Sequence, residues 1–242
     1  MLTRRLAHPL VASCIPQNST HRVLSRTFTT PPPTVNVAAL WMAAWMKDGN
    51  KFDDIWNLAR SSEERRSLAF ASNEHGWNAL HHAAVHNQTH MIQKLAEESF
   101  GRELAQSSTR NGWRPLHYAS GFGQKESVDL LLKVGAADLE IQNDRSYSCL
   151  GWTPFHRAIR WWLSPGKPNC IEHLLTIGVN AAATTHDGKT AAHIANPEVH
   201  EALELALVQH LAAHPHSKNR ESVEKLRAEL RTVVEQWATM GK

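Results

Sequence analysis

Four stretches of the chain open on a glycine and place a histidine five residues later. They are Gly76-Trp-Asn-Ala-Leu-His81-His-Ala-Ala84, Gly112-Trp-Arg-Pro-Leu-His117-Tyr-Ala-Ser120, Gly151-Trp-Thr-Pro-Phe-His156-Arg-Ala-Ile159 and Gly188-Lys-Thr-Ala-Ala-His193-Ile-Ala-Asn196. A glycine at this point permits a tight turn at positive φ, and the Thr or Pro beside it pre-sets a helix N-terminus. Leu80, Leu116 and Phe155 then fill the space between neighbouring copies, while Ala83, Ala119, Ala158 and Ala195 let helices approach closely. Second helices follow, with Met91, Ile92 and Leu95, then Val128, Leu131 and Leu132, then Ile171, Leu174 and Leu175 at helical spacing. One such unit leaves an apolar side uncovered, so the copies must stack.

At these residues the sequence resembles the ankyrin repeat family, whose signature is Thr-Pro-Leu-His-x-Ala ahead of a second helix ending in Leu-Leu-x-x-Gly-Ala. The second copy carries the pattern furthest, through Gly121-Phe-Gly123 to Val128-Asp-Leu-Leu-Leu-Lys-Val-Gly-Ala136. The resemblance implies an all-α repeat solenoid, an ankyrin-type helix–turn–helix stack with enlarged β-turn fingers and helical caps. The turn glycines are 36, 39 and 37 residues apart, against about 33 for a regular unit. The extra length falls at Glu98–Arg110, Asp138–Leu150 and Ser164–Asn169.

The expected organisation is a targeting peptide and Pro-rich linker over residues 1–33, a degenerate N-terminal capping repeat over 34–75, the repeat array over 76–196 and a helical C-terminal cap over 197–242. The degenerate copy is read from Leu40 to Ala44 and from Phe52, Ile55, Trp56 and Ala59, with a short helix after Ser61, spaced from Glu64 as a capping box. In the C-terminal cap, Pro197 opens a helix to about His214. A last helix presents Val223, Leu226, Leu230, Val233, Val234 and Trp237 along one stripe.

Sixteen histidines raise the question of a metal or a catalytic centre. By the resemblance, His81, His117, His156 and His193 are structural bridges to a neighbouring turn. His82, His86 and His90 recur every fourth residue, but the first helix ends near Asn87, so His90 starts the next. No HExxH, paired cysteines or carboxylate set completes a site. Cys170 and His173 are spaced as a reactive pair without a third member. The expectation is a protein with no catalytic residues, metal or cofactor; a metal-dependent enzyme around His82, His86 and Cys170 is the remote alternative.

Trp77, Trp113 and Trp152 each follow a turn glycine. The resemblance places that position at the base of the finger, facing a concave binding surface. Val85, His86, Phe122, Arg160 and Trp161 close the first helices on the same side. The stripe of Trp, Phe, Arg and His so formed has the composition of protein–protein hot spots and predicts a protein partner on the concave face. The alternative is that the tryptophans pack within the chain, under its long fingers.

The N-terminal segment carries Arg4, Arg5, Arg22 and Arg26, is rich in Ser and Thr, and the first carboxylate of the chain is Asp48. This is the composition of a mitochondrial presequence. Arg26-Thr-Phe28 precedes a cleavage-like site and Pro31-Pro-Pro33 an extended linker, although Pro9 and Pro16 weaken an amphipathic helix. Beyond residue 28 the chain has 22 basic residues against 23 acidic ones. The body is therefore neutral, and no nucleic-acid partner is expected. No transmembrane segment is expected either, and three cysteines make no disulfide framework. The expected function is a non-catalytic protein-interaction module in the mitochondrial matrix, an accessory subunit of a large mitochondrial assembly. The alternative is a cytosolic or nuclear regulatory adaptor with a disordered basic tail.

Overall fold

The computed structural model describes residues 37–134, 138–143, 151–162 and 169–240. The expected targeting peptide, most of the third finger (144–150) and the insertion at 163–168 lie outside the described residues. Thirteen α-helices are present and no strand among the described residues.

The first helices of the repeats start where the sequence places a Pro or a capping residue. They are α4 (Ala79–Val85), α7 (Pro115–Gly121), α9 (Pro154–Trp161) and the short α11 (Ala191–Ile194). With α1 (Val37–Met46) they form an inner row in which each helix packs on the next. An outer row holds α2 (Gly49–Leu58), α5 (Thr89–Glu97), α8 (Lys125–Lys133), α10 (Ile171–Thr176) and α12 (His200–Ala213). The core lies between the rows, where Phe52, Trp56, Met91, Ile92, Leu95, Leu131, Phe155, Ile159 and Ile171 are fully buried.

Two elements differ from the sequence expectation. The extra length at Glu98–Arg110 is not an enlarged finger, because it folds as α6 (Gly101–Gln106). Phe100, Leu104 and Ala105 are buried there, and Phe100 meets Phe70 of α3 (Ser62–Phe70) at a ring separation of 5.9 Å. Arg66 of α3 lies over both rings and grips Glu103 of α6 at 2.7 Å through both carboxylate oxygens. The second difference concerns α12, which packs on α10 and so continues the outer row. The C-terminal cap is thus chiefly α13 (Arg220–Met240), which lies against α11 and α12 with Val223, Leu226, Leu230 and Val233 buried. Val234 and Trp237, expected on the same stripe, are exposed.

The fingers close alike. Asn73, Thr109, Asn143 and Thr185 each donate a backbone N–H to the carbonyl of Trp77, Trp113, Trp152 and Lys189, all at 2.9 Å. The third closure spans a longer loop than the others, so its insertion leaves the base of the finger unchanged. Neighbouring fingers touch at their glycines. Gly151 has φ +81°, and a Cβ built there would sit 2.5 Å from the backbone nitrogen of His186, whereas Gly188 has φ +75° and nothing within 4 Å. Gly188→Ala therefore bears only the left-handed penalty of about 1 kcal/mol. Gly151→Ala must also displace the next finger and is expected to cost about 3 kcal/mol or more. Urea unfolding of the two variants checks the difference.

Candidate functional site

Two of the four repeat histidines, His81 and His117, join the inner row to the next finger, whereas His193 is exposed and pairs within its own turn. The His117 Nδ1 accepts the Arg114 N–H at 3.3 Å, which leaves Nε2 to donate to the Trp152 carbonyl of the next repeat at 3.0 Å. His81 reaches the Trp113 carbonyl in the same way, at 3.2 Å. At the third repeat Thr153 and His156 cap the helix reciprocally, Thr153 N–H to Nδ1 at 3.2 Å and His156 N–H to Oγ1 at 3.4 Å. Thr190 and His193 repeat that pairing, their Oγ1 and Nδ1 lying 2.9 Å apart. Burial disfavours the imidazolium strongly, holding His81 and His117 down to about 3 and His156 to about 4.

His81, His117 and His156 are neutral when folded and take up protons near pH 6.5 when unfolded. Stability is therefore complete above about pH 6.5 and falls as the pH drops toward the folded values. Each such histidine is expected to remove about 2 kcal/mol between pH 7 and pH 5. His117→Gln is expected to be less stable than the native chain at pH 7, with the gap narrowing by about 2 kcal/mol at pH 5. Denaturant titrations at the two pH values measure this.

The tryptophans after the turn glycines do not form a solvent-facing stripe, which with Val85 corrects the expectation for four of the eight residues. Trp113, Trp152 and Val85 are only 4%, 8% and 7% exposed, and Trp77 is half-buried. They stack with one another and with the residue that follows each repeat histidine, rather than under the fingers. The Trp77 ring lies 5.2 Å from His82 and 4.3 Å from Tyr118, and Trp113 meets Trp152 edge-on at 6.2 Å. Arg157 is buried in the middle of this cluster. Its guanidinium lies 4.2 Å from the Trp113 centroid, 4.4 Å from Tyr118 and 4.3 Å from Trp161. A desolvated cation on an indole face contributes about 2 kcal/mol, and indoles left in water would forfeit their apolar burial. At the other end, Trp41 of α1 stacks on His82 at 6.3 Å. The result is a continuous ladder running from Trp41 through His82, Trp77, Tyr118 and Arg157 to Trp161.

Tyr118 and Arg157 were missed from sequence, although the signal was there. The residue after each repeat histidine is His82, Tyr118, Arg157 or Ile194, five positions after the Trp77, Trp113, Trp152 and Lys189 of the same copy. Trp113→Ala removes the ring that lies against both Arg157 and Trp152 and is expected to cost 3–5 kcal/mol, roughly the range for a buried Trp, read as a fall in the thermal midpoint.

The remaining candidates lie at the ends of the inner helices. Phe122 and Trp161 are 40% and 37% exposed, and His86 and Arg160 are half-buried. Arg160 donates through a guanidinium nitrogen to the Asn196 Oδ1. The histidines at 82, 86 and 90 separate as α4 ends: His90 opens α5 and lies 3.0 Å from Asp53, which also takes Lys94 at 2.6 Å. Burial holds His82 down to about 4, with the charge of His86 adding to it. The Cys170 thiol is buried and pushed up to about 12 by desolvation, while His173 pairs with Asp129 at 2.8 Å. That arrangement leaves no ready thiolate. Among the described residues no three His, Cys, Asp or Glu side chains converge to hold a metal ion, and no helix is long and apolar enough to cross a membrane.

Stacked helix pairs, glycine fingers and bridging histidines define a repeat solenoid of the kind that carries binding surfaces. The sequence family described as ankyrin repeats (3 copies) matches residues 40–143 and, overlapping them, 104–184, and the chain belongs to that family. The first match begins within α1. The chain is also 36% identical over 83 residues to human protein phosphatase 1 regulatory subunit 27, an alignment covering 34% of this chain and 47% of that protein. It thus spans about half the length of the curated relative it matches. Ankyrin repeats and a relative named as a regulatory subunit both support a protein–protein interaction module.

Proposed function

We propose that this chain is a non-catalytic adaptor of mitochondria that holds a protein partner on its inner row, as an accessory subunit of a larger assembly. The observation that carries the binding role is the pattern of exposure along the row. The aromatic ladder is consumed by internal packing up to its last ring, Trp161, which is 37% exposed, and Phe122 is exposed at the preceding helix end, with Arg160 beside Trp161. Large side chains displayed on a row rigidified from beneath make good anchors, because little conformational entropy is lost on binding. The mitochondrial part rests on composition, namely four arginines and no carboxylate before Asp48.

A second reading is favoured by the relative named as a phosphatase regulatory subunit. On that reading the chain is a regulatory adaptor of the cytosol or nucleus, and its basic N-terminal segment is not an import signal.

Two measurements separate these readings. A reporter carrying residues 1–45 is expected to enter mitochondria and to be shortened there; a diffuse cytosolic or nuclear signal favours the second reading. C-terminally tagged chain is expected to co-purify with one mitochondrial assembly, and the Phe122→Ala, Trp161→Ala double variant to lose it while keeping its helical circular dichroism. A native chain that recovers no protein in excess of the double variant removes the adaptor reading in both forms.

A further inference from the structure

The two rows differ in charge. Helices α1, α4, α7, α9 and α11 contain no Asp or Glu at all. Every outer helix they pair with has at least one, among them Asp53, Glu97, Glu126 and Glu172. Among the described residues, carboxylates near the inner row come from turns and from segments between helices. Asp187 is paired with Lys189 at 2.8 Å, Glu140 accepts the Asn180 N–H at 2.7 Å, and Glu74 lies 3.5 Å from His75. Asp48 caps α2.

Five side chains of the inner row, exposed or half-buried, lie at equivalent places, the C-terminal ends of successive helices. Lys47 follows α1, His86 follows α4, Phe122 follows α7, and Arg160 and Trp161 end α9. The helices that carry the first two of these ends, α1 and α4, pack on one another, and burial, followed by the charge of Lys47, lowers the His86 pKa. Among the described residues the polar partner of Arg160 is the neutral Asn196. Cation, imidazole, aromatic ring, then cation with aromatic ring therefore succeed one another along one line, and the inner helices themselves carry no counter-charge.

We propose that this line takes an extended acidic segment of the partner protein, with carboxylates on Lys47 and Arg160 and apolar side chains on Phe122 and Trp161. The inference rests on the adaptor reading above and adds the chemistry of what is bound. Four helix ends at packing distances of 8–10 Å span roughly 30 Å. That length matches about nine residues of extended chain. A nucleic acid fits less well, since the line offers two cations rather than a basic stripe and the body of the chain is neutral.

The full chain would be titrated by fluorescence anisotropy against two labelled twelve-residue peptides, three repeats of Asp-Leu-Glu-Phe and three of Lys-Leu-Arg-Phe, and against a twelve-nucleotide oligouridine. The acidic peptide is expected to bind at least about tenfold more tightly than the other two and to weaken at high salt. Arg160→Glu is expected to lose about tenfold for that peptide. Lys133→Glu, the same change of charge on the exposed outer helix α8, is expected to match the native chain. Circular dichroism confirms that each variant is folded. The inference is overturned if the basic peptide or the oligouridine binds as well as the acidic one, if the acidic peptide does not bind, or if Arg160→Glu and Lys133→Glu behave alike. Co-purification distinguishes the two levels: a partner lost with the Phe122, Trp161 double variant but retained by Arg160→Glu leaves the adaptor standing and removes the acidic segment.

Discussion

A neutral imidazole between one repeat and the next is the contact on which the rest of this solenoid depends. On one side its Nδ1 meets the first turn of its own helix; on the other, in the first two full repeats, Nε2 holds the carbonyl at the base of the following finger. That carbonyl is also the acceptor that closes its own finger, at 2.9 Å in every copy. Fixing that oxygen therefore fixes the turn, the start of the next helix and the distance between units together. The glycines at positive φ and the alanines between helices are compatible with the spacing, but the imidazole sets it.

Above the bridges lies a layer with a different physical basis. The ladder from Trp41 to Trp161 uses ring faces, ring edges and one buried guanidinium. Arg157 is well suited to its centre, because a planar, weakly hydrated cation can lie against several rings with less desolvation cost than an ammonium. The ladder also separates two kinds of aromatic residue. Those after the turn glycines are committed to the interior of the stack, and those at the helix ends remain on its surface.

Much of this architecture was legible in the sequence because it depends on local, repeated requirements. The phase of Gly76, Gly112, Gly151 and Gly188 located the turns, and the histidines five residues on located the inner helices. The apolar spacing at Met91, Ile92 and Leu95 located an outer one. The tryptophans were legible as a set but not in their direction. Which way an indole points depends on the residue across the repeat boundary, and Tyr118 and Arg157 are neighbours of Trp77 and Trp113 only once the units are stacked. Helix α6 was hidden for a related reason: Phe100, Leu104 and Ala105 look like scattered apolar residues in a loop until α3 offers a surface to cover.

The ladder also makes the stack mechanically uneven. Ring and guanidinium contacts run from α1 to α9, whereas α11 is a single turn and contributes only Ile194 to the same cluster. The last repeat is held instead by α13 and by Asn219, whose amide bonds the carbonyls of Leu175 and Val179. In a molecule whose units touch only their neighbours, opening proceeds by separation of the weakest interface. Fraying therefore advances from the α11–α13 end while the centre stays closed, and amide protons in α7 and α9 outlive those in α11 by the free energy stored between the rings.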